Sequence, residues 1–421
     1  MANNFEIQYL LTNIQEPFKG GEIPLDPSFI TYFWFCENIE NMYITGSLEI
    51  EDTGGFFERL PLTGEEILKV TITQDLEKDE SDNTGDSKNF QKIIEFELYK
   101  TPIKDINKNR LMVYEFRLAE KGFFEFFRKQ YSKSYSEKFI TDIIKDICNN
   151  QLGIDEANYD IEETADKIDY IIPYWKPSIT IQDLRYRSRR KKTPSEGSYL
   201  FFSTIGDIDR KTPLKRLVSF ATLLEQEVND TIFEKFYFKK QDINSSFINN
   251  IKELRNINYN NRSIINEGIG GKKNYYIDLI NDKVVKETTK IYDDFISNSP
   301  ILGTKSYLSL YLNDVDSDVK FSGLDNENDI KRSQDTRFRM SLENYNKREI
   351  VIEGLLDRYS GRKIYLEEMS NSAGEVENEK DSGEWLIKGV TNYFTINNFE
   401  QRITIIKDAW SVSDVDGHIT I

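Results

Sequence analysis

Ser134-Tyr-Ser-Glu-Lys-Phe-Ile-Thr-Asp-Ile-Ile-Lys-Asp-Ile-Cys-Asn-Asn-Gln-Leu-Gly153 opens the stretch that says most about how this chain folds. Ser134 stands three residues before Glu137, the reciprocal capping pattern of a helix start, so a helix is expected to begin there. Phe139, Ile140, Ile143, Ile144 and Ile147 follow at steps of one, three and four and give it one broad apolar face. Its end is expected near Asn150, with Gly153 supplying the left-handed residue beyond it. In Tyr170-Ile-Ile-Pro-Tyr-Trp-Lys-Pro177, both prolines hold the residues before them extended, and Pro177 suits the first position of a second helix. Ile181, Leu184 and Ser188 share one face of that helix, and Trp175 is expected to pack between the two. Tyr199-Leu-Phe-Phe202, after the break at Pro194 and Gly197, reads as a short buried strand.

On either side the pattern is that of strands. Phe5 to Leu11 and Phe29 to Phe35 are apolar runs separated by the loop Gly20-Gly-Glu-Ile-Pro-Leu-Asp-Pro27. Met42, Ile44, Gly46, Leu48 and Ile50 alternate with the other face, and Asp52-Thr-Gly-Gly55 stops the strand. Leu60-Pro-Leu-Thr-Gly-Glu-Glu66 leads into the alternating Leu68, Val70 and Ile72, followed by strands over Phe90 to Tyr99 and Leu111 to Leu118. Glu77 to Lys92 is too polar to bury and reads as a long hairpin loop, an early target for proteolysis. Past Phe202, Leu217 to Val228 reads as a short amphipathic helix, Thr231 to Phe238 as a strand and Val284 to Phe295 as a helix. Strand character resumes over Leu302 to Leu312 and Phe338 to Leu342. It continues in Ile350-Val-Ile-Glu-Gly354, Lys363-Ile-Tyr-Leu366, Glu384 to Val390 and Arg402 to Lys407. The expected class is α+β, with two antiparallel β-barrel domains and inserted α/β segments.

The order Ser134-Tyr135, the Ile-rich helix, Leu152-Gly153, Tyr170 to Pro177, Leu184 and Tyr199 to Phe202 resembles the baseplate hub protein of contractile-tailed phages. It is also similar to the related N-terminal hub portion of the VgrG spikes of type VI secretion. Gly46-Ser-Leu-Glu-Ile-Glu-Asp-Thr53 with Leu60 to Glu66 resembles the first tube-like domain of that family. Gly354, Gly361, Gly383-Glu-Trp385 and Val390-Thr-Asn-Tyr-Phe394 look like parts of the second. The resemblance implies a first tube-like domain over 1–122, an inserted α/β domain over 123–205 and a second tube-like domain built from 206–250 and 304–408. It further implies a second insertion over 251–303 and a C-terminal tail over 409–421. The sequence ends without the OB-fold and β-helix spike of VgrG, which favours the phage type, whose spike is a separate chain. The function so implied is structural: a homotrimer in the virion that joins the tail tube to the central spike within the baseplate, with DNA only as passing cargo and assembly in the host cytoplasm. A hub of a phage-derived injection system stays open beside it.

Composition agrees with a non-catalytic role. The chain has 421 residues and a formal net charge of −17, which repels free nucleic acid at long range. Its hydrophobic content of 38% is enough for several folded cores. Cys36 and Cys148 read as buried thiols, the N-terminus lacks a signal-peptide pattern, and no apolar run reaches membrane-spanning length. With two Cys and one His, His418, no zinc set and no Ser-His-Asp or Cys-His site is expected, and phosphate-loop and calcium-loop spacings are absent. No acidic residue stands in an apolar setting that would raise its pKa. No catalytic, cofactor-binding or metal residue is therefore expected. The rival from another class is a carbohydrate-binding or carbohydrate-cleaving β protein, because paired carboxylates and stacking aromatics are plentiful. The basic cluster Arg185-Tyr-Arg-Ser-Arg-Arg-Lys-Lys192 is read either as a solvated helix end favoured by the helix dipole or as a contact with an acidic neighbour.

Overall fold

Among the described residues seven strands build the first half: β1 (Asn3–Thr12), β2 (Ile23–Leu25), β3 (Ile30–Asn38), β4 (Thr45–Asp52), β5 (Ile67–Leu76), β6 (Lys88–Ile106) and β7 (Met112–Glu120). The alternation predicted from sequence is what buries them, since Phe33 and Phe35, Leu68, Val70 and Ile72, and Phe90, Ile94 and Phe96 all point into one core. After β4 the Asp52 carboxylate accepts the N–H groups of Gly54, Phe56 and Phe57 and so starts the one-turn helix α1 (Phe56–Arg59). The computed structural model describes residues 3–12, 21–60, 62, 64–76, 88–106, 112–165, 167–193, 197–207, 209–228, 234–238, 249–258, 271–278, 283–290, 347–369 and 381–407. Residues 77–87 of the expected acidic loop, the strands expected at Leu302 to Leu312 and Phe338 to Leu342, and the tail 409–421 lie outside these.

The insertion follows α2 (Phe123–Arg128) and differs from expectation at its entrance. Ser134 to Glu137 does not start a helix but lies in β8 (Tyr131–Phe139). Tyr131, Lys133 and Tyr135 are half-buried while Ser132, Ser134 and Ser136 are exposed, a period of two that a strand satisfies and a helix cannot. The Glu137 N–H that Ser134 was expected to cap donates to Asp169 instead, at 2.9 Å, and the Ser136 hydroxyl donates to the same carboxylate at 2.8 Å. The helix α3 (Ile140–Asp146) starts six residues later and continues as a π turn over Ile147–Gln151. A partner distant in sequence serves its first turn, the Thr164 hydroxyl accepting the Thr141 N–H. Its expected apolar face holds, with Ile140, Ile143, Ile144 and Ile147 buried, and Gly153 adopts the left-handed φ of 64°.

Next come β9 (Tyr159–Ile161), β10 (Lys167–Trp175), α4 (Pro177–Arg187) and β11 (Tyr199–Thr204). Pro177 does open α4, Ile181, Leu184 and Ser188 are buried on one side, and all of β11 is buried. Trp175 is only half-buried, at the rim of the insertion's core. The helix expected over Leu217 to Val228 is instead strand β12 (Leu214–Ser219) followed by the short α5 (Phe220–Leu224). A strand as buried as β11 needs its backbone paired, and β12 supplies that edge, with Phe201 opposite Leu217.

The second half holds β13 (Lys235–Phe238), β14 (Ile251–Asn258), β15 (Gly271–Asp278), β16 (Lys283–Lys290), β17 (Lys347–Glu353), β18 (Lys363–Glu368), β19 (Gly383–Thr395) and β20 (Asn398–Ile406). The helix expected from Val284 is a strand in an antiparallel hairpin with β15, in keeping with the β-branched Val284, Val285, Thr288 and Thr289.

The two closed barrels expected from sequence are not present among the described residues. Strands of both halves instead form one 13-stranded, largely antiparallel sheet that runs β14-β17-β20-β19-β3-β4-β7-β6-β5-β1-β2, with β13 and β18 beside β19. The reason is β19, whose later half pairs with β3, Phe394 lying opposite Phe33, so hydrogen bonds cross directly from one half to the other.

Candidate functional site

Four inward stripes of this sheet are each interrupted by one polar residue. Glu37 follows Phe33 and Phe35 on β3, Gln74 follows Ile72 on β5, Lys92 stands between Phe90 and Ile94 on β6, and Gln401 stands between Phe399 and Ile403 on β20. All four are at most 1% exposed. A polar side chain at such a depth is tolerated only with full partners, and here the partners are the backbones of two irregular segments that enter the core.

The first is the connection from β17 to β18. Gln74 donates its amide N–H to the Gly354 carbonyl at 2.9 Å and accepts the Leu356 N–H at 2.8 Å. Gln401 clamps the same segment by donating to the Leu355 carbonyl and accepting the Leu355 N–H. Held by both glutamines, Leu355 and Leu356 insert their side chains into the core of the first half. Arg358 is buried behind them, donating to the Glu353 carbonyl and to Asn249, with its guanidinium over the Phe236 ring.

The second is the exit from the insertion after β11. Lys92 donates to the carbonyls of Ile205, Gly206, Asp207 and Arg210 at 3.2, 3.0, 2.5 and 2.8 Å. An ammonium has three protons for these four acceptors, so at least one is shared. The segment can wrap the ammonium because Gly206 takes a φ of +68°. Burial brings Lys92 down to about 8.

Glu37 joins the two segments, accepting the Ile205 N–H at 2.7 Å and the Ser360 N–H at 2.9 Å. Burial pushes its carboxyl up to about 7, against the pull of those amides and of Lys92. Sequence reading missed Glu37 and placed Lys92 in a solvated loop. Lys92 belongs to β6, on the same face as Phe90 and Ile94. The signal was the alternation itself, which puts both residues on the buried side. Glu37 faces backbone amides and is wholly enclosed, so the arrangement holds chain segments together and presents no acid to a substrate.

A further buried contact ties β12, the partner of β11, to the first half: Lys215 donates to Glu120 at 2.9 Å and to the Met42 carbonyl at 3.0 Å, with its nitrogen 3.4 Å from the centre of the Tyr43 ring. The basic cluster does close α4 but is answered within the chain. Arg190 is buried and paired with Glu225 at 2.5 and 2.8 Å, Arg187 pairs with Asp183 and Lys191 with Glu163. Cys36 and Cys148 are free, and burial pushes the Cys148 thiol up to about 12. Among the described residues no three His, Cys, Asp or Glu side chains come together to hold a metal ion.

Among the described residues the large exposed apolar side chains fall into two sets. Phe29, Phe56 and Ile396 lie at one end of the main sheet. The pairings Ile30 with Ile50 and Phe33 with Phe394 bring the start of β3, the end of β4 and the β19–β20 turn to that end. Phe127, Ile171, Tyr174, Ile179 and Tyr186 lie on the insertion. Ile171 and Tyr174 are 73% and 63% exposed on β10, which pairs only with β8 among the described strands. Tyr174 also holds a left-handed φ of 55°.

No family model matches the chain, and no curated protein matches it. Solved structures do. The 43 kDa tail protein of prophage MuSo2 from Shewanella oneidensis is similar at a TM-score of 0.52 and 11% identity, over 96% of this chain and 100% of that one. The tail protein from Neisseria meningitidis MC58 is similar at a TM-score of 0.52 and 9% identity, over 97% and 98%. A chain of the Francisella PdpA-VgrG complex aligns over 96% of this chain and 53% of its own length, with 14% identity and a TM-score of 0.49. The fold is thus shared with two phage tail proteins, in agreement with the kind of fold that the resemblance read from sequence implies.

Proposed function

We propose that this chain is a structural, non-enzymatic hub of a contractile tail's baseplate, connecting the tail tube to the central spike and lining the channel through which DNA passes. The observation that carries the reading is a fold shared with the Shewanella prophage tail protein over the whole of that chain and 96% of this one. The two halves joined through β19 and β3 are the ring-forming parts, with 1–122 the first and 206–250 with 304–408 the second. Residues 123–205 and 251–303 are insertions and 409–421 a tail. Three copies would present six such parts, which matches a six-fold tube, and closed rings are the usual outcome for homo-oligomers. The partners are tube, spike and other baseplate proteins, and the location is the virion. Exposed Phe29, Phe56 and Ile396 at one end of the sheet suit an apolar seat for a neighbour stacked along the axis. The net charge of −17 suits a channel wall that DNA slides past without binding. Symmetry analysis of the assembled particle tests this. Three copies between tube and spike are expected, and two-fold or six-fold packing of this chain, or its absence from the tail, overturns it.

A further inference from the structure

Four stretches of chain meet at Glu37 and Lys92. They are β3 itself, β6, the exit segment Ile205 to Arg210, and the connection that carries Ser360. Among the described residues the exit segment is held by these two side chains, by the Gly206 N–H to the Thr204 hydroxyl and by a neighbouring bond from the Ile93 N–H to the Lys211 carbonyl at 2.7 Å. Of its described residues Ile205 is the buried apolar one, and Arg210 reaches outward to the Ala157 carbonyl. Opening this segment therefore exposes one carboxyl and one ammonium to water while leaving the sheet strands paired. The two groups have few counter-charges. Glu37 faces Lys92, the Thr204 hydroxyl and the two amides, and Lys92 faces Glu37, Asp357, Asp207 and Arg210. The Ser360 hydroxyl is buried beside Glu37 without a protein partner.

We propose that Glu37 and Lys92 form a proton-linked latch that sets how readily the insertion's exit segment, Ile205 to Arg210, opens away from the main sheet. The direction follows from linkage. In the closed latch Glu37 holds its proton up to about pH 7, whereas a solvated glutamate loses it near 4.5. Opening is thus hardest in mild acid and becomes easier as pH rises to neutrality, by up to a factor of roughly ten per pH unit between those values. Lys92 acts in the opposite sense above about 8, because the closed state has released a proton that a solvated lysine keeps to 10.5. The latch is weakest in the neutral window. In a particle component, such a latch would let the insertion shift relative to the sheet at neutral pH without unfolding either.

Hydrogen exchange of the full chain, corrected for the intrinsic pH dependence of exchange, tests this between pH 5 and pH 7.5. Protection of the Ile205 and Ser360 amides is expected to be lower than that of Ile350 to Ile352 in β17, whose exchange needs the sheet itself to unfold, and to fall about tenfold or more over this range. In Glu37→Gln the carboxamide still accepts but cannot titrate, and the fall should vanish. A level profile at Ile205 and Ser360 in the unaltered chain overturns the latch, as does protection there equal to that of Ile350 to Ile352, which would mean that these amides exchange only when the sheet unfolds. An unchanged fall in Glu37→Gln overturns it too. Should that variant not fold, the unaltered chain decides alone, through the fall at Ile205 and its lower protection than Ile350 at every pH.

Discussion

Gly354 lies face to face with the ring of Phe399: a Cβ built on it would stand 2.2 Å from a ring carbon, far inside contact distance. The Gly354 N–H donates to the Phe399 carbonyl at 2.9 Å, and Phe399 in turn stacks on Phe394 at 4.2 Å between centres. The backbone has no room to retreat, since Gln74 holds the Gly354 carbonyl from the other half of the molecule. Gly354→Ala is therefore expected to destabilise the chain by about 3 kcal/mol through overpacking. Phe399→Ala costs stability of its own but removes the clash, so the double variant should lose less than the sum of the two single losses. Urea midpoints of the single and double variants check both expectations, and strict additivity would show that the contact is not where the strain falls.

Gln74 and Gln8 make a matched pair for a second test. Gln8 is exposed on β1, whereas Gln74 is buried and satisfies one carbonyl and one N–H of the β17–β18 connection. Gln74→Leu keeps the volume but leaves both backbone groups unpaired, at about 1–3 kcal/mol each. Gln8→Leu should stay within about 0.5 kcal/mol. Equal stabilities in a denaturant titration would mean that water replaces the Gln74 contacts.

Global stability should depend on pH through Glu37 and Lys92. From about 4.5 to about 7 the folded chain keeps a proton on Glu37 that the unfolded chain has lost, so this group's contribution falls as pH rises. From about 8 to 10.5 the unfolded chain keeps a proton on Lys92 that the folded chain has lost, so that contribution grows with pH. Subtracting the pH profile of Glu37→Gln from that of the unaltered chain should isolate the falling limb, and Lys92→Met the rising one. A difference profile that rises between pH 5 and 7 would contradict the burial of Glu37 as an acid.

The strands were largely legible because a half-buried strand writes its two faces into alternate residues, and Leu68, Val70 and Ile72 leave little choice. The errors came where a tertiary partner outweighed a local pattern. Ser134 and Glu137 carry a helix-cap spacing, yet Asp169 takes the Glu137 N–H and the hydroxyl of Ser136, and β10 takes the strand. Leu217 has helical neighbours in sequence but is drawn into pairing by Phe201. The buried node was hidden for another reason. Nothing in a single sequence tells that Glu37 and Lys92, polar residues on apolar faces, will meet the backbone of segments more than a hundred residues away.

The basic cluster after α4 separates into two kinds of charge. Arg190 is buried between Glu162 and Glu225, so Arg190→Met removes the cation they share, leaving Glu162 its Ser219 and Thr222 donors and Glu225 its Lys192, and should cost roughly 1–3 kcal/mol. Lys191 pairs with Glu163 where both side chains are well exposed, and Lys191→Met should cost about 0.5 kcal/mol or less. If a neighbouring acidic chain used this cluster, Lys191→Met would instead weaken assembly while leaving the melting temperature of the isolated chain unchanged.

Ile396 gives the sharpest separation of folding from assembly. It sits in the two-residue turn between β19 and β20, 68% exposed, and its neighbours Phe394 and Phe399 already fill the core beneath it. Placing a charge there removes no buried contact, so Ile396→Asp should leave stability within about 0.5 kcal/mol of the original. An exposed isoleucine that shares one end of the sheet with Phe29 and Phe56 is in place to be covered by an axial neighbour, and an aspartate in a covered apolar seat would be left desolvated and unpaired. Ile396→Asp together with Phe29→Asp is therefore expected to abolish incorporation into tails while the purified chain melts as before. Ile171→Asp, on the insertion, should leave stacking along the axis intact. Normal incorporation of the double variant, measured by the amount of this chain in purified particles, would remove that end of the sheet from the assembly and shift attention to the insertion.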